Sequence, residues 1–188
     1  NLIDSITGVD GRYKKYQYDK LFRVASVKES ASNITTFYTY NFDVRMVTES
    51  TNYGVYTIEN RKFYDKAGRV YAYQEKSVTS NKYRTTVYDF DKYGRKAKEY
   101  LPFEVPFSAG DQVVIPSGHQ FTETKYEASP LSRVVEVIGA DWHPTKYEYG
   151  LNVSGDNVSG YTNVGTLTKE TVIDGNNNRS TTFKDFAG

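Results

Sequence analysis

The chain contains no cysteine, which removes disulfides, thiol nucleophiles and cysteine-ligated zinc together and leaves the redox compartment open. No run of about 18 apolar residues occurs, so no part of the chain is expected to span a membrane. Charge of one sign is nowhere concentrated. The 24 Lys and Arg are scattered among 23 Asp and Glu for a net charge of +1. A phosphate-backbone ligand needs a basic stripe, so nucleic acid is excluded as a partner. Leucine and alanine are sparse, and no amphipathic helical pattern of useful length appears. The sequence starts at Asn1 without a methionine or a signal peptide, which points to processing or to a piece of a longer protein.

What is present is aromatic and β-branched. The 188 residues include 18 Tyr and 10 Phe with abundant Val and Thr, a composition suited to pleated, half-buried surfaces. Apolar and charged fractions of 38% and 25% are those of an ordered domain. The expectation is an all-β fold of about a dozen strands, an antiparallel hairpin array forming a curved sheet, with no linker dividing it into domains.

The clearest signal is Asp91-Lys92-Tyr93-Gly94-Arg95, behind the β-rich Thr85-Thr86-Val87-Tyr88. Aspartate favours the start of a turn by accepting a nearby backbone N–H, and Gly94 suits a type I turn closed by a left-handed residue. Asp65-Lys66-Ala67-Gly68-Arg69 repeats this after Phe63-Tyr64, and Asp185-Phe186-Ala187-Gly188 begins it again. Asp19-Lys20-Leu21-Phe22-Arg23 is a copy behind Tyr16 and Tyr18, with Phe22 at the glycine position and its turn type therefore open. A β-branched residue at Gly94 is expected to cost about 1–2 kcal/mol of backbone strain, and none at Phe22. A weaker copy runs from Tyr38 and Tyr40 through Asn41 to Arg45. Arg23, Arg45, Arg69 and Arg95 lie 22, 24 and 26 residues apart, a period that marks a stacked array. One hairpin cannot bury its own apolar face, so such units pair with neighbours.

Repeat-like hairpins thus cover residues 9–99. An insertion loop follows over 100–119, where Pro102, Pro106 and Pro116 disfavour a central strand. Hairpins resume over 120–149, with Glu127 and Arg133 in the motif positions. A polar loop covers 150–165, in which Asn152-Val153-Ser154-Gly155 recurs as Asn157-Val158-Ser159-Gly160. The final hairpin spans 166–188 and turns at Asp174-Gly175-Asn176.

On these residues the chain resembles the YD-repeat, or Rhs-repeat, family of bacterial secreted and surface proteins. The matching positions are Tyr16, Tyr18, Asp19 and Arg23; Tyr38, Tyr40 and Arg45; Phe63, Tyr64, Asp65, Gly68 and Arg69; Asp91, Gly94 and Arg95; and Asp185 with Gly188. Lys98–Phe103 and Tyr126–Val134 look like segments from the N-terminal part of the repeat region of large Rhs proteins. The resemblance implies a strand-built shell, in many members enclosing a variable C-terminal toxic domain used in interbacterial competition. It also implies that this chain is one segment of a longer polypeptide. The self-cleaving site of toxin-releasing members is marked by Asp-Pro, which does not occur here.

Candidate chemistry is thin. His143 in Asp141-Trp142-His143-Pro144, and His119, could be imagined as bases, but no nucleophile motif accompanies them and they read as loop residues. Asp156 among Asn152 and Asn157 lacks the carboxylate density of a calcium loop. No catalytic, cofactor-binding or metal-binding residue is assigned, and no cofactor is expected. Trp142 could contact a glycan or a partner protein. Each post-turn arginine is expected to pair across its hairpin or with the next repeat's acid. The leading expectation is a non-enzymatic structural segment of a secreted or cell-surface protein, enclosing or presenting a cargo domain. The alternatives are an adhesin-like surface for carbohydrate or protein, and a cargo segment bound to a secretion apparatus.

Overall fold

The computed structural model describes residues 2–156, 158–160 and 163–185. Asn157 and Gly188 therefore lie outside the described residues. The fold is all-β. Among the described residues there are fifteen strands, each joined to its neighbours by antiparallel pairing, and one short 3-10 turn at Phe107–Ala109. No helix among them is long and apolar enough to cross a membrane.

The strands fall into two compact units. One comprises the chain up to Tyr88 together with Pro102–His119; the other comprises Asp89–Leu101 and the chain from Gln120 onward. The division falls inside a strand and at no linker.

The first unit holds β1 (Ser5–Thr7), β2 (Tyr13–Tyr18), β3 (Val24–Glu29), β4 (Thr35–Asn41), β5 (Met46–Asn52), β6 (Thr57–Tyr64), β7 (Val70–Lys76) and most of β8 (Lys82–Phe90). They pair in sequence order, each with the next. Side chains alternate across such a sheet, and one face collects the apolar set. Met46, Phe63, Ala72 and Val87 form a row across β5 to β8, all buried. The opposite face carries Tyr16, Tyr38, Tyr40, Tyr64 and Tyr73 half-buried, and burial raises the phenol pKa of Tyr38, Tyr40 and Tyr73.

The segment expected as a loop over 100–119 is ordered, and it is the cover of that apolar face. Tyr100 ends β9 (Lys96–Tyr100), and a strand then forms despite its flanking prolines. This is β10 (Phe103–Pro106), which pairs antiparallel with β8 through Phe103↔Thr85 and Val105↔Tyr83. Proline is tolerated because β10 is short and Pro106 stands at its end. Phe103 and Val105 are buried, the Phe107 ring lies 4.6 Å from Tyr83, and Asp111 reaches Asn41 at 3.1 Å and Arg61 at 3.3 Å. This strap substitutes for the second layer that a single sheet lacks. Beneath it Gln74 and Thr85, register partners on β7 and β8, are fully buried with side-chain polar atoms unpartnered.

The second unit orders β9, β11 (Phe121–Tyr126), β12 (Val134–Ile138), β13 (Pro144–Leu151), β14 (Thr168–Ile173) and β15 (Arg179–Lys184), each paired with the next. Its buried residues include Leu167, Thr171 and Ile173. Buried Asn152 pins the long connection between β13 and β14. Its side-chain oxygen accepts the N–H groups of Thr166 and Leu167, and its amide donates to the Asn163 carbonyl.

Candidate functional site

The feature repeated across the molecule is a five-residue turn with a locked acid and base. At Asp65–Arg69 the Asp65 N–H donates to the Arg69 carbonyl at 2.9 Å and the Gly68 N–H to the Asp65 carbonyl at 3.1 Å. Asp65 Oδ1 accepts the N–H groups of Ala67 and Arg69, while Oδ2 accepts Arg69 Nε at 2.7 Å and lies 2.6 Å from Nη2. Asp91–Arg95 has the same bonds, with Arg95 Nε at 2.7 Å from Asp91 Oδ2. So has Asp19–Arg23. One carboxylate thus satisfies two turn N–H groups and a guanidinium fork. Hydrogen bonds from Arg23 hold the Asp19 carboxyl below its usual range, and the backbone and side chain of Arg69 do so for Asp65. At Asp91 burial opposes the shift and the bonds from Arg95 and Tyr93 outweigh it.

Glu127 and Arg133 form a stretched version. The longer side chain spans a longer loop: Glu127 Oε1 accepts Arg133 Nε at 2.9 Å and Oε2 accepts Nη2 at 2.9 Å, with the Ser129 hydroxyl donating at 2.6 Å. The Arg133 guanidinium first, and the Ser129 hydroxyl next, hold the Glu127 carboxyl down to about 2.

Gly68 and Gly94 have φ of +78° and +83°, the left-handed conformation a turn of this kind requires. Phe22 occupies the same region at φ +60°. The turn type is therefore the same, and the backbone strain expected only at Gly94 is already present at Phe22. The copy at Asn41 is displaced by one residue from its sequence reading. Arg45 N–H donates to the Phe42 carbonyl and Arg45 itself has φ +50°, so Arg45 stands at the glycine position and Met46 at the arginine position. The cause is Asn41, whose side chain accepts the Asp43 N–H at 3.1 Å and so imitates the start of the turn.

Three further turns carry the lock without having the Asp-x-x-Gly-Arg pattern, one of them at the turn expected from Asp174-Gly175-Asn176. Asp174–Asn178 has the aspartate lock with Asn178 in place of arginine and Asn177 at φ +64°. Gly8–Arg12 and Gly139–His143 move the carboxylate two residues along: Asp10 and Asp141 accept the N–H of Arg12 and His143. A Cβ on Gly8 would meet Asp10 Oδ1 at 2.9 Å, and one on Gly139 would meet Asp141 Oδ1 at 2.8 Å. The relocated carboxylate uses the space of the missing side chain, so the pattern Gly-x-Asp was the readable signal.

Besides the acid of its own turn, the arginine at three of the turns reaches the next hairpin by stacking on its tyrosine, and Arg95 Nη1 also donates to the Glu127 backbone carbonyl at 3.3 Å. Arg23 lies 4.1 Å from the Tyr40 ring centroid, Arg95 4.4 Å from Tyr126, and Arg133 4.4 Å from Tyr149. Each of those hydroxyls then donates to the carbonyl just after the arginine: Tyr40 to Val24 at 2.8 Å, Tyr126 to Lys96 at 2.9 Å, Tyr149 to Val134 at 2.8 Å. Tyr18 makes the corresponding bond to Ile3. A bulge follows the arginine at Ala25, Tyr71 and Val135, where the register slips by one residue.

Other candidates are placed as follows. Asp185 directly follows β15. Trp142 is 71% exposed and holds φ +63° in the Gly139–His143 turn, with its ring edge-on to Phe121 at 6.3 Å. His143 Nδ1 lies 3.5 Å from Asp141 Oδ2, both exposed. His119 meets the Phe103 ring edge-on at 4.9 Å. Asp156 is engaged by Lys169 Nζ at 2.6 Å and the Val153 N–H at 2.7 Å.

A family model described as a domain of unknown function, DUF6443, matches residues 34–153, more than half of the chain. The chain belongs to this family. The matched span takes in the strap, the Asp65 and Asp91 turns and the Glu127–Arg133 turn, so the locked hairpins lie in the part that defines membership. No curated protein matches the chain.

Proposed function

We propose that this DUF6443 chain is a non-enzymatic structural segment of a secreted or cell-surface YD/Rhs-repeat protein, in which it forms part of a strand-built wall that encloses or presents a C-terminal effector domain. The observation that carries the reading is the coupling of one hairpin to the next through Arg23–Tyr40, Arg95–Tyr126 and Arg133–Tyr149. It gives each residue of the Tyr-Asp-x-x-Gly-Arg pattern a load in the wall: aspartate closes its own turn, arginine grips that aspartate, and tyrosine holds the arginine before it. Side chains spent in this way are not available for chemistry, and their recurrence whatever the loop sequence suits a repeated mechanical part.

The test is made on the complete protein. Its reading frame is expected to continue into further copies of the pattern and a C-terminal domain, and limited proteolysis should leave that domain resistant. Arg95→Ala with Arg133→Ala should open the wall and expose it to the protease. A reading frame with no further copies, or a C-terminal domain digested equally in both forms, would sink the proposal.

A second reading, a binding surface around Trp142, is favoured by one observation. An indole that is 71% exposed in a left-handed turn is placed neither for core packing nor for backbone ease. Specific capture of a glycan or protein, lost in Trp142→Ala, would establish it.

A further inference from the structure

Between the β5–β6 turn and the β7–β8 turn, both in the first unit, lies an open groove of about 710 Å³. Its walls are Asn52 and Gly54 to Thr57 on one side and Lys76 to Asn81 on the other, and the strap supplies Phe107. Phe107 is fixed there by its N–H bond to the Asn81 carbonyl at 3.0 Å and by packing on Tyr83. Tyr56 is fixed by stacking on Tyr53 at 5.2 Å with an interplanar angle of 16°.

The lining has a definite chemistry. The hydroxyls of Tyr56 and Thr57 and the carboxamide of Asn81 have no hydrogen-bond partner among the described residues, so they are free to meet a ligand. Lys76 is the sole ionisable amine or acid in the lining, and it lies 3.9 Å from the Glu59 carboxylate and 5.4 Å from the Phe107 centroid. Glu59 also holds Arg61 Nε at 2.9 Å, and Arg61 meets Asp111 at 3.3 Å, so two cations and two carboxylates balance within this cluster. Rigid aromatic rings beside uncharged donors and acceptors fit a ligand with C–H faces and many hydroxyls, and fit neither a phosphate nor an ammonium group. We propose that this groove binds a neutral oligosaccharide, with Phe107 and Tyr56 against the sugar faces and Thr57 and Asn81 on its hydroxyls. The site does not depend on the wall reading, since it needs only the turns and the strap of the first unit.

The experiment uses the intact 188-residue chain and neutral tetrasaccharides of glucose, galactose, mannose and N-acetylglucosamine, read by saturation-transfer NMR and calorimetry. One series is expected to bind saturably. Phe107→Ala and Tyr56→Ala should each weaken it at least about tenfold, while Trp142→Ala leaves it unchanged. Should Phe107→Ala disturb the fold by circular dichroism, Asn81→Ala and Tyr56→Phe, which remove single polar groups, must still weaken binding. No saturable binding by any series would overturn the proposal. So would binding that survives the groove variants, or that is lost in Trp142→Ala instead.

Discussion

The hairpin at Asp65–Arg69 and the one at Phe42–Met46 are separated by a single intervening hairpin on the same sheet, yet only the first is locked. In the first, a carboxylate closes the turn and holds a guanidinium. In the second, Phe42 and Met46 stand at those two positions, and the left-handed site is filled by Arg45 instead of glycine. Both still turn the chain at the same place in their strands. The difference teaches that turn position follows from strand pairing and core burial, because Met46 is buried in the row with Phe63, while the Asp–Arg lock adds rigidity and a grip for the neighbouring tyrosine.

Removing the shared core should outweigh anything done to a turn. Phe63→Ala is expected to lose about 3–5 kcal/mol in urea unfolding, since its side chain is 1% exposed and contacts both hairpins. A loss below about 1 kcal/mol would mean that the locks and not the core hold the first unit. Next comes backbone strain. Gly94→Val should cost about 1–2 kcal/mol by forcing a β-branched residue to positive φ. The reverse changes sharpen the comparison: Phe22→Gly and Arg45→Gly should each stabilise by about 1 kcal/mol, because both residues already bear the left-handed penalty. Destabilisation by Arg45→Gly would return Arg45 to the ion-pair position and overturn the assignment of Met46 there.

A smaller effect is expected from acid. Asp19, Asp65, Asp91 and Glu127 all have depressed folded-state pKa values, so their contribution is complete above the ordinary values and is lost as pH falls through the folded ones. For Glu127 the window runs from 4.5 down to about 2. The unfolding midpoint should decline across that window, and Glu127→Gln should flatten the Glu127 share of the decline. An identical pH profile in the variant would show that the Glu127–Arg133 pair has no part in it.

Much of this was legible in the sequence for a physical reason. The β class, the Asp65 and Asp91 hairpins and their left-handed glycines follow from local turn chemistry, which a short stretch encodes completely. Arg45 was misplaced because Asn41 offers a competing local turn, and local rules alone do not choose between two registers one residue apart. The strap's prolines argue locally against a central strand, whereas β10 is a short edge piece whose worth lies in Phe103, Phe107 and Asp111 meeting residues far away in the chain. The Arg–Tyr coupling was invisible for the same reason: Arg95 and Tyr126 become neighbours only once the intervening segment is folded away.

That coupling is the central claim, and a double-mutant cycle on Arg95 and Tyr126 tests it most directly. Arg95→Lys, Tyr126→Leu and the double variant would be compared by equilibrium unfolding. The account predicts a coupling energy of about 0.5–2 kcal/mol, because the guanidinium stacked on the ring and the hydroxyl bond to Lys96 are lost together. Additive effects, with a coupling indistinguishable from zero, would mean that the hairpins merely lie side by side and are not joined through the arginine.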